Sequence, residues 1–201
     1  MPRMPDAVGP DLVGRLIAAL DRPAGPSSDF DLNPPVTLPP GRSLRPAAVL
    51  VALWGPDVVL TKRASHLQHH PGQIAFPGGK QEEGETPEVA ALREADEEIG
   101  LSPQNVTVLG RLAAHETVTG FQITPVLGHV RAGFFPRRDP GEVEEVFTVP
   151  LTHLLDPTRY AVEGRFWRGQ FRRYYAVPWG PYYIWGATAR ILHGLAQRVQ
   201  P

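Results

Sequence analysis

Between residues 76 and 101 the chain reads FPGGKQEEGETPEVAALREADEEIGL, a segment dense in carboxylates in which Arg93 is the only arginine. Carboxylates at this spacing either coat a solvated helix face or hold a cation. Two features favour the cation. Like charges four residues apart cost about 0.2–0.5 kcal/mol in an isolated helix, and Glu94 faces Glu98 at that spacing with no lysine or arginine at the next i+4 position. Gly78, Gly79 and the loop GKQEEGE come just before, so a ligand can approach the backbone where the carboxylates point. Cys is absent, and hard oxygen ligands suit Mg2+ or Mn2+ better than Zn2+.

The elements that must carry these groups follow from local signals. Thr86 can cap a helix, Pro87 suits its first turn and Gly100 suits the left-handed position just past its end, which predicts a helix over 87–99. At about 100° per residue, Val89, Leu92, Asp96 and Ile99 fall on one side, expected to be buried, and Glu94, Glu97 and Glu98 on the other, expected to be exposed. Residues 47–54 and 58–63 read as strands joined by a tight connection at Gly55, Pro56 and Asp57, and 106–112, 121–130 and 143–149 as further strands. Alternating aromatic and basic residues around Arg168 and Gly169 predict a hairpin. Helices are expected over 11–20, with Asp11 as the cap, and over 187–198. Proline and glycine crowd 22–46, an irregular connection. Strands mixed with helices indicate an α/β layered domain.

The whole chain narrows the class of partner. Its 201 residues fit one domain. A formal net charge of -1 gives no electrostatic reason to expect nucleic acid. No run reaches the roughly 18 to 20 apolar residues of a membrane span, and neither a signal peptide nor an address tag is recognisable, so the expected compartment is the cytoplasm. Without cysteine there is no disulfide and no thiol chemistry.

Gly79, Glu85, Arg93-Glu94, Glu97-Glu98, Gly100 and Leu101 stand at the spacing of the Nudix box, and the chain resembles the Nudix hydrolase family; Ala95 takes the place of a bulkier aliphatic residue. The resemblance implies an α/β Nudix fold, a mixed β-sheet sandwiched between helices, over 47–201, with 1–46 as a leading helix and proline-rich connection. It further implies hydrolysis of a nucleoside diphosphate derivative, assisted by Mg2+ or Mn2+. By that resemblance Glu94 and Glu98 are metal ligands with Glu97 sharing the cluster, and Arg93 holds a carboxylate such as Glu85, so that Arg93, Glu85, Glu94 and Glu97 form the catalytic set. The general base is Glu94 or one of Glu142, Glu144 and Glu145.

Residues 60–79, LTKRASHLQHHPGQIAFPGG, are similar to the segment preceding the box in coenzyme A pyrophosphatases: Leu60, Thr61, Arg63, Gly72, Phe76, Pro77, Gly78 and Gly79 match, and Ile74 replaces valine. Val59, Ala64 and Gln68 depart, Gln68 where the subfamily carries arginine. The substrate so implied is coenzyme A, cleaved to 4'-phosphopantetheine and adenosine 3',5'-bisphosphate, with Lys62, Arg63, Gly78 and Gly79 as substrate contacts. ADP-ribose or another nucleoside diphosphate derivative is the alternative, and a non-catalytic nucleotide-binding module the next. Arg165, Arg168, Arg172 and Arg173 offer an adenine and phosphate platform, or only the surface of a half-buried strand. His66, His69 and His70 are expected in a loop role, or at most as substrate contacts, and not as metal ligands.

Overall fold

The computed structural model describes residues 10–33, 42–131, 134–167 and 169–200. In chain order the elements are α1 (Pro10–Asp21), β1 (Ser27–Ser28), β2 (Arg45–Trp54), β3 (Asp57–Arg63), β4 (Ile74–Ala75), β5 (Gly78–Lys80), α2 (Pro87–Ile99), β6 (Val106–Arg111), β7 (His115–Glu116), β8 (Phe121–Val130), β9 (Val143–Pro150), α3 (Leu151–Leu154), β10 (Ala161–Trp167), β11 (Gln170–Ala176) and α4 (Ala187–Val199). The long strands coincide with the β-branched and apolar runs of the sequence, as alternation predicts. α1 begins at Pro10, so Asp11 lies inside its first turn and not at the cap.

One mixed sheet carries the domain, with β2 parallel to β8 and antiparallel to β3 and β5. β9 extends the sheet beyond β3, while β6 and β7 pair with β8. Successive side chains of a strand point to opposite faces, and β2 uses both. Ala48, Leu50 and Ala52 pack with Ala90, Ala91, Ala95 and Ile99 of α2. Val51 and Leu53 pack on the other side with Leu16 and Ala19 of α1 and Ile191, Leu192 and Leu195 of α4. The sheet therefore lies between helices, the α/β/α layering expected.

The leading segment is less irregular than its proline content suggests. β1 pairs in parallel with β7, and the fully buried His115 ties it down: Ser27 Oγ lies 2.9 Å from its Nδ1 and Asp29 Oδ1 lies 3.1 Å from its Nε2. Asp29 Oδ2 also accepts from the Val118 amide at 2.9 Å. Among the described residues no helix is long and apolar enough to cross a membrane.

Candidate active site

α2 is positioned at both ends as the sequence predicts. Thr86 accepts from the Val89 amide at 3.4 Å, and Gly100 turns the chain at φ 69°, a left-handed conformation that favours glycine. The helix is rotated relative to the expected faces, however. Its buried side is Ala90, Ala91, Ala95, Glu98 and Ile99, whereas Val89 and Asp96 are exposed. Small alanines let the helix lie close on β2 and β5, and the larger Val89 is left outside. The single exposed carboxylate face is thus corrected: Glu98 is only 4% exposed, while the Glu97 side chain is 61% exposed.

The close approach brings carboxylates onto the glycine pair of β5. The Gly78 amide donates to Glu98 Oε2 at 3.2 Å. A Cβ built on Gly79 would come 2.5 Å from the Glu94 carboxylate, so only glycine leaves that carboxylate where it is. Arg93 organises the adjoining groups. Its Nε and one terminal nitrogen hold Glu85 in a two-pronged pair at 2.8 and 3.0 Å, and the other terminal nitrogen donates to Glu94 at 3.0 Å and Glu97 at 3.1 Å. It also donates to the Lys80 carbonyl at 3.1 Å, which fixes helix to loop. The Glu82 amide donates to Glu85 at 2.8 Å.

The electrostatics separate the carboxylates. Glu85 is held down to about 2, chiefly by the hydrogen bond from Arg93. Glu98 is pushed up to about 8 by burial, against the Gly78 amide and the charge of Arg63, and the charges of Glu142 and Glu94 add to the rise. Glu94 is also raised, by burial first and by the charges of Glu97 and Glu142, with Arg93 opposing. Glu142, exposed in the turn just before β9, therefore acts on both. Its neighbours are engaged elsewhere: Glu144 pairs with Lys62 at 2.6 Å, and Glu145 accepts from the Tyr182 hydroxyl at 2.6 Å. Of the two expected basic contacts, the charge of Arg63 reaches Glu98, and Lys62 is turned to Glu144.

A divalent cation fits this set by the nature of its donors. Glu94 and Glu98 offer hard oxygen donors, burial and neighbouring carboxylates raise both, and they flank one glycine pair. Among the described residues no group of three or more His, Asp or Glu side chains already closes on one point. The histidines are not gathered either: His66 bonds the Gly141 carbonyl at 3.2 Å, and His70 sits in a turn at φ 56°. In the late hairpin Arg165 lies over the Trp185 ring at 4.1 Å, and Arg168 falls outside the described residues. The coupling of Glu142 to the α2 carboxylates had no signal beyond an acidic run, because it follows from the docking of the 139–142 turn on α2, where the Asp139 amide donates to the Glu98 carbonyl at 2.8 Å.

A mixed sheet between helices, with a glycine pair pressed against the glutamates of a loop-helix-loop, defines a hydrolase class, and the chain belongs to the Nudix hydrolase family: the NUDIX domain matches residues 44–168. Members of this family act on nucleoside diphosphate derivatives, small molecules, and generally use divalent metals such as Mg2+ or Mn2+. An "Uncharacterized Nudix hydrolase NudL" of Pectobacterium atrosepticum is 40% identical over 176 residues, covering 85% of this chain and 91% of that protein. A protein of the same description from Salmonella newport is 41% identical over 159 residues, covering 77% and 83%. Among solved structures, a C. elegans Ap4A hydrolase binary complex superposes with a TM-score of 0.46 at 20% identity, covering 53% of this chain and 80% of that one.

Proposed function

We propose that the chain hydrolyses the diphosphate linkage of coenzyme A or its derivatives, giving 4'-phosphopantetheine and adenosine 3',5'-bisphosphate. The observation that carries this reading is the arrangement of the upstream segment. Its matched positions are contiguous with the site: Leu60 and Thr61 are buried in β3, Phe76 and Pro77 are buried before β5, and the charge of Arg63 reaches Glu98. The main chain at Arg63 is held by the Gln73 carbonyl at 3.0 Å and the Gly72 amide at 3.1 Å, which fixes the end of β3 beside the glycine pair.

In this reading Glu94, Glu98 and Glu97 hold Mg2+ or Mn2+. A bound divalent ion supplies charge neutralisation at the diphosphate oxygens. The Gly78 and Gly79 backbone lies along the diphosphate, and Arg63 faces its negative charge. Arg93 and Glu85 act by position: the two-pronged pair fixes the side chain that in turn holds Glu94. Glu142 is the general base that takes the proton of the attacking water, because it is exposed and electrostatically coupled to both α2 carboxylates, whereas Glu144 and Glu145 are already engaged.

One specific residue favours the alternative substrates. Gln68 is exposed where the resemblance expects arginine, and the missing charge weakens the case for the 3'-phosphate. The test is a product-mass assay of the purified protein with coenzyme A, ADP-ribose and nucleoside triphosphates, each with Mg2+, Mn2+ or chelator. Metal-dependent phosphopantetheine with adenosine bisphosphate is the expected result. Cleavage of ADP-ribose alone overturns the coenzyme A reading and leaves the box intact; cleavage of nothing leaves a nucleotide-binding module.

A further inference from the structure

The β10–β11 hairpin stands apart from the main sheet, and its two edges differ. In an antiparallel pair, residues opposite one another either exchange both backbone hydrogen bonds or direct them outward. Arg173 directs its groups outward, to the Asn33 side chain: Asn33 Oδ1 accepts from the Arg173 amide at 2.9 Å, and Asn33 Nδ2 donates to the Arg173 carbonyl at 3.2 Å. The Tyr175 carbonyl, two residues on, accepts from the Gly186 amide at 3.1 Å. The outer edge of β11 is therefore covered at Arg173 and at the Tyr175 carbonyl. Gly164 lies opposite Arg173, and Val162 and Phe166 lie opposite Tyr175 and Phe171. By the same alternation, Val162, Gly164 and Phe166 direct their amides and carbonyls away from β11. Among the described residues no group bonds to them.

This free edge is also exposed and apolar. Every residue from 161 to 166 is exposed, with Val162 at 52%, Phe166 at 77% and the adjoining Phe171 at 52%. A two-stranded hairpin is marginal by itself, and an uncovered edge invites another strand. The order of residues determines which strand fits.

We propose that β10 pairs antiparallel with β10 of a second copy of this chain about a two-fold axis at Gly164, giving a four-stranded sheet across a homodimer. The sequence is self-complementary in that register. Val162 lies opposite Phe166 of the second copy, an apolar pair, and Glu163 lies opposite Arg165, an ion pair; the symmetry makes each pair twice. In a one-residue slip Gly164 meets Glu163 or Arg165 of the second copy, and the charge match is lost. Gly164 at the axis has no side chain to obstruct the approach. Phe171 lies over it, since a Cβ there would meet the Phe171 ring at 2.4 Å, and the axis brings the two Phe171 rings together above the glycine pair. Within one chain Glu163 accepts from the Tyr183 hydroxyl at 2.5 Å and Arg165 lies over Trp185, on the same face of the hairpin, which holds both charges where the pairing needs them. The inference is independent of the substrate reading.

The test is sedimentation equilibrium of the full chain and of three variants: Glu163→Arg, Arg165→Glu and the double exchange. The full chain is expected to be a dimer at tens of micromolar. Each single variant, which sets like charges opposite one another twice, is expected to weaken association by about ten-fold or more, and the double exchange to restore it. Hydrogen exchange of the unmodified chain provides a reading that needs no variant to fold: the amides of Val162, Gly164 and Phe166 should be protected at high concentration and exchange on dilution. A monomer at all these concentrations overturns the proposal. So does a dimer that ignores the charge changes, a weakening that the double exchange does not rescue, or amides whose exchange does not depend on concentration.

Discussion

Replacing Glu98 by glutamine separates the two demands placed on that residue, burial and charge. Glu98 is 4% exposed and burial pushes its carboxyl up to about 8, against 4.5 for an ordinary glutamate. Because the folded value is the higher, the metal-free folded state binds the proton more strongly than the unfolded chain does. Stability from this group is full below about 4.5 and is lost as pH rises towards 8. Integrating between pH 5 and pH 8 gives a loss of roughly 3 to 4 kcal/mol from this one group. Glutamine has nearly the same shape and never ionises, so Glu98→Gln should lack this component and, in chelator at pH 8, should be more stable than the parent by about that amount. The assay is urea unfolding at both pH values, with chelator and then with Mg2+. Mg2+ should stabilise the parent at pH 8 and leave the variant unchanged, and turnover of the variant should be abolished. Equal pH slopes for parent and variant would refute the reasoning, and an active variant would remove Glu98 from the metal site.

Gly79→Ala forces the Glu94 carboxylate away from its place, so kcat should fall on the order of 100-fold with little change in unfolding temperature; steady-state kinetics beside calorimetry would decide. Arg93→Lys cannot reproduce the two-pronged hold on Glu85 and should cost 10- to 100-fold, roughly the loss expected from Glu85→Gln. The double variant should be hardly worse than either single one, and additive losses in that cycle would mean the two act separately. Glu142→Gln should lower kcat by about 10²- to 10⁴-fold, whereas Glu144→Gln and Glu145→Gln stay within a few-fold; a Glu142→Gln rate near the parent's would place the base elsewhere.

The long elements were legible because their signals are local. Thr86, Pro87 and Gly100 bracket α2 as capping chemistry requires, and the alternation of β2 shows in which residues meet α2 and which meet α4. The two- and three-residue strands β1, β4, β5 and β7 are too short to show a period and exist only through their partners. The orientation of α2 was misread for a physical reason. Counting hydrophobicity gives Val89 and Leu92 the most weight, but a helix pressed against glycine-bearing backbone buries its smallest side chains, and alanine carries little hydrophobic signal. Ala95, the departure from the Nudix box, is fully buried on that contact side. The pairing of Lys62 with Glu144 was equally invisible, since it depends on the register of β3 against β9.

The orientation of α2 bears directly on the site. The sequence left Glu94 and Glu98 without a compensating cation at helical spacing. The structure supplies one for only part of the cluster, since Arg93 serves Glu85, Glu94 and Glu97 and does not reach Glu98. The buried member, Glu98, is left to take up a proton instead: burial, Glu142 and Glu94 oppose its ionisation, which Arg63 and the Gly78 amide favour. A diphosphate would add negative charge to the same place. In the proposed reaction such a substrate is expected to enter together with a cation that also displaces the proton of Glu98. On that proposal the alanine face of α2 matters to the chemistry along with the glutamates, because the burial it creates raises Glu98 and so favours a bound cation.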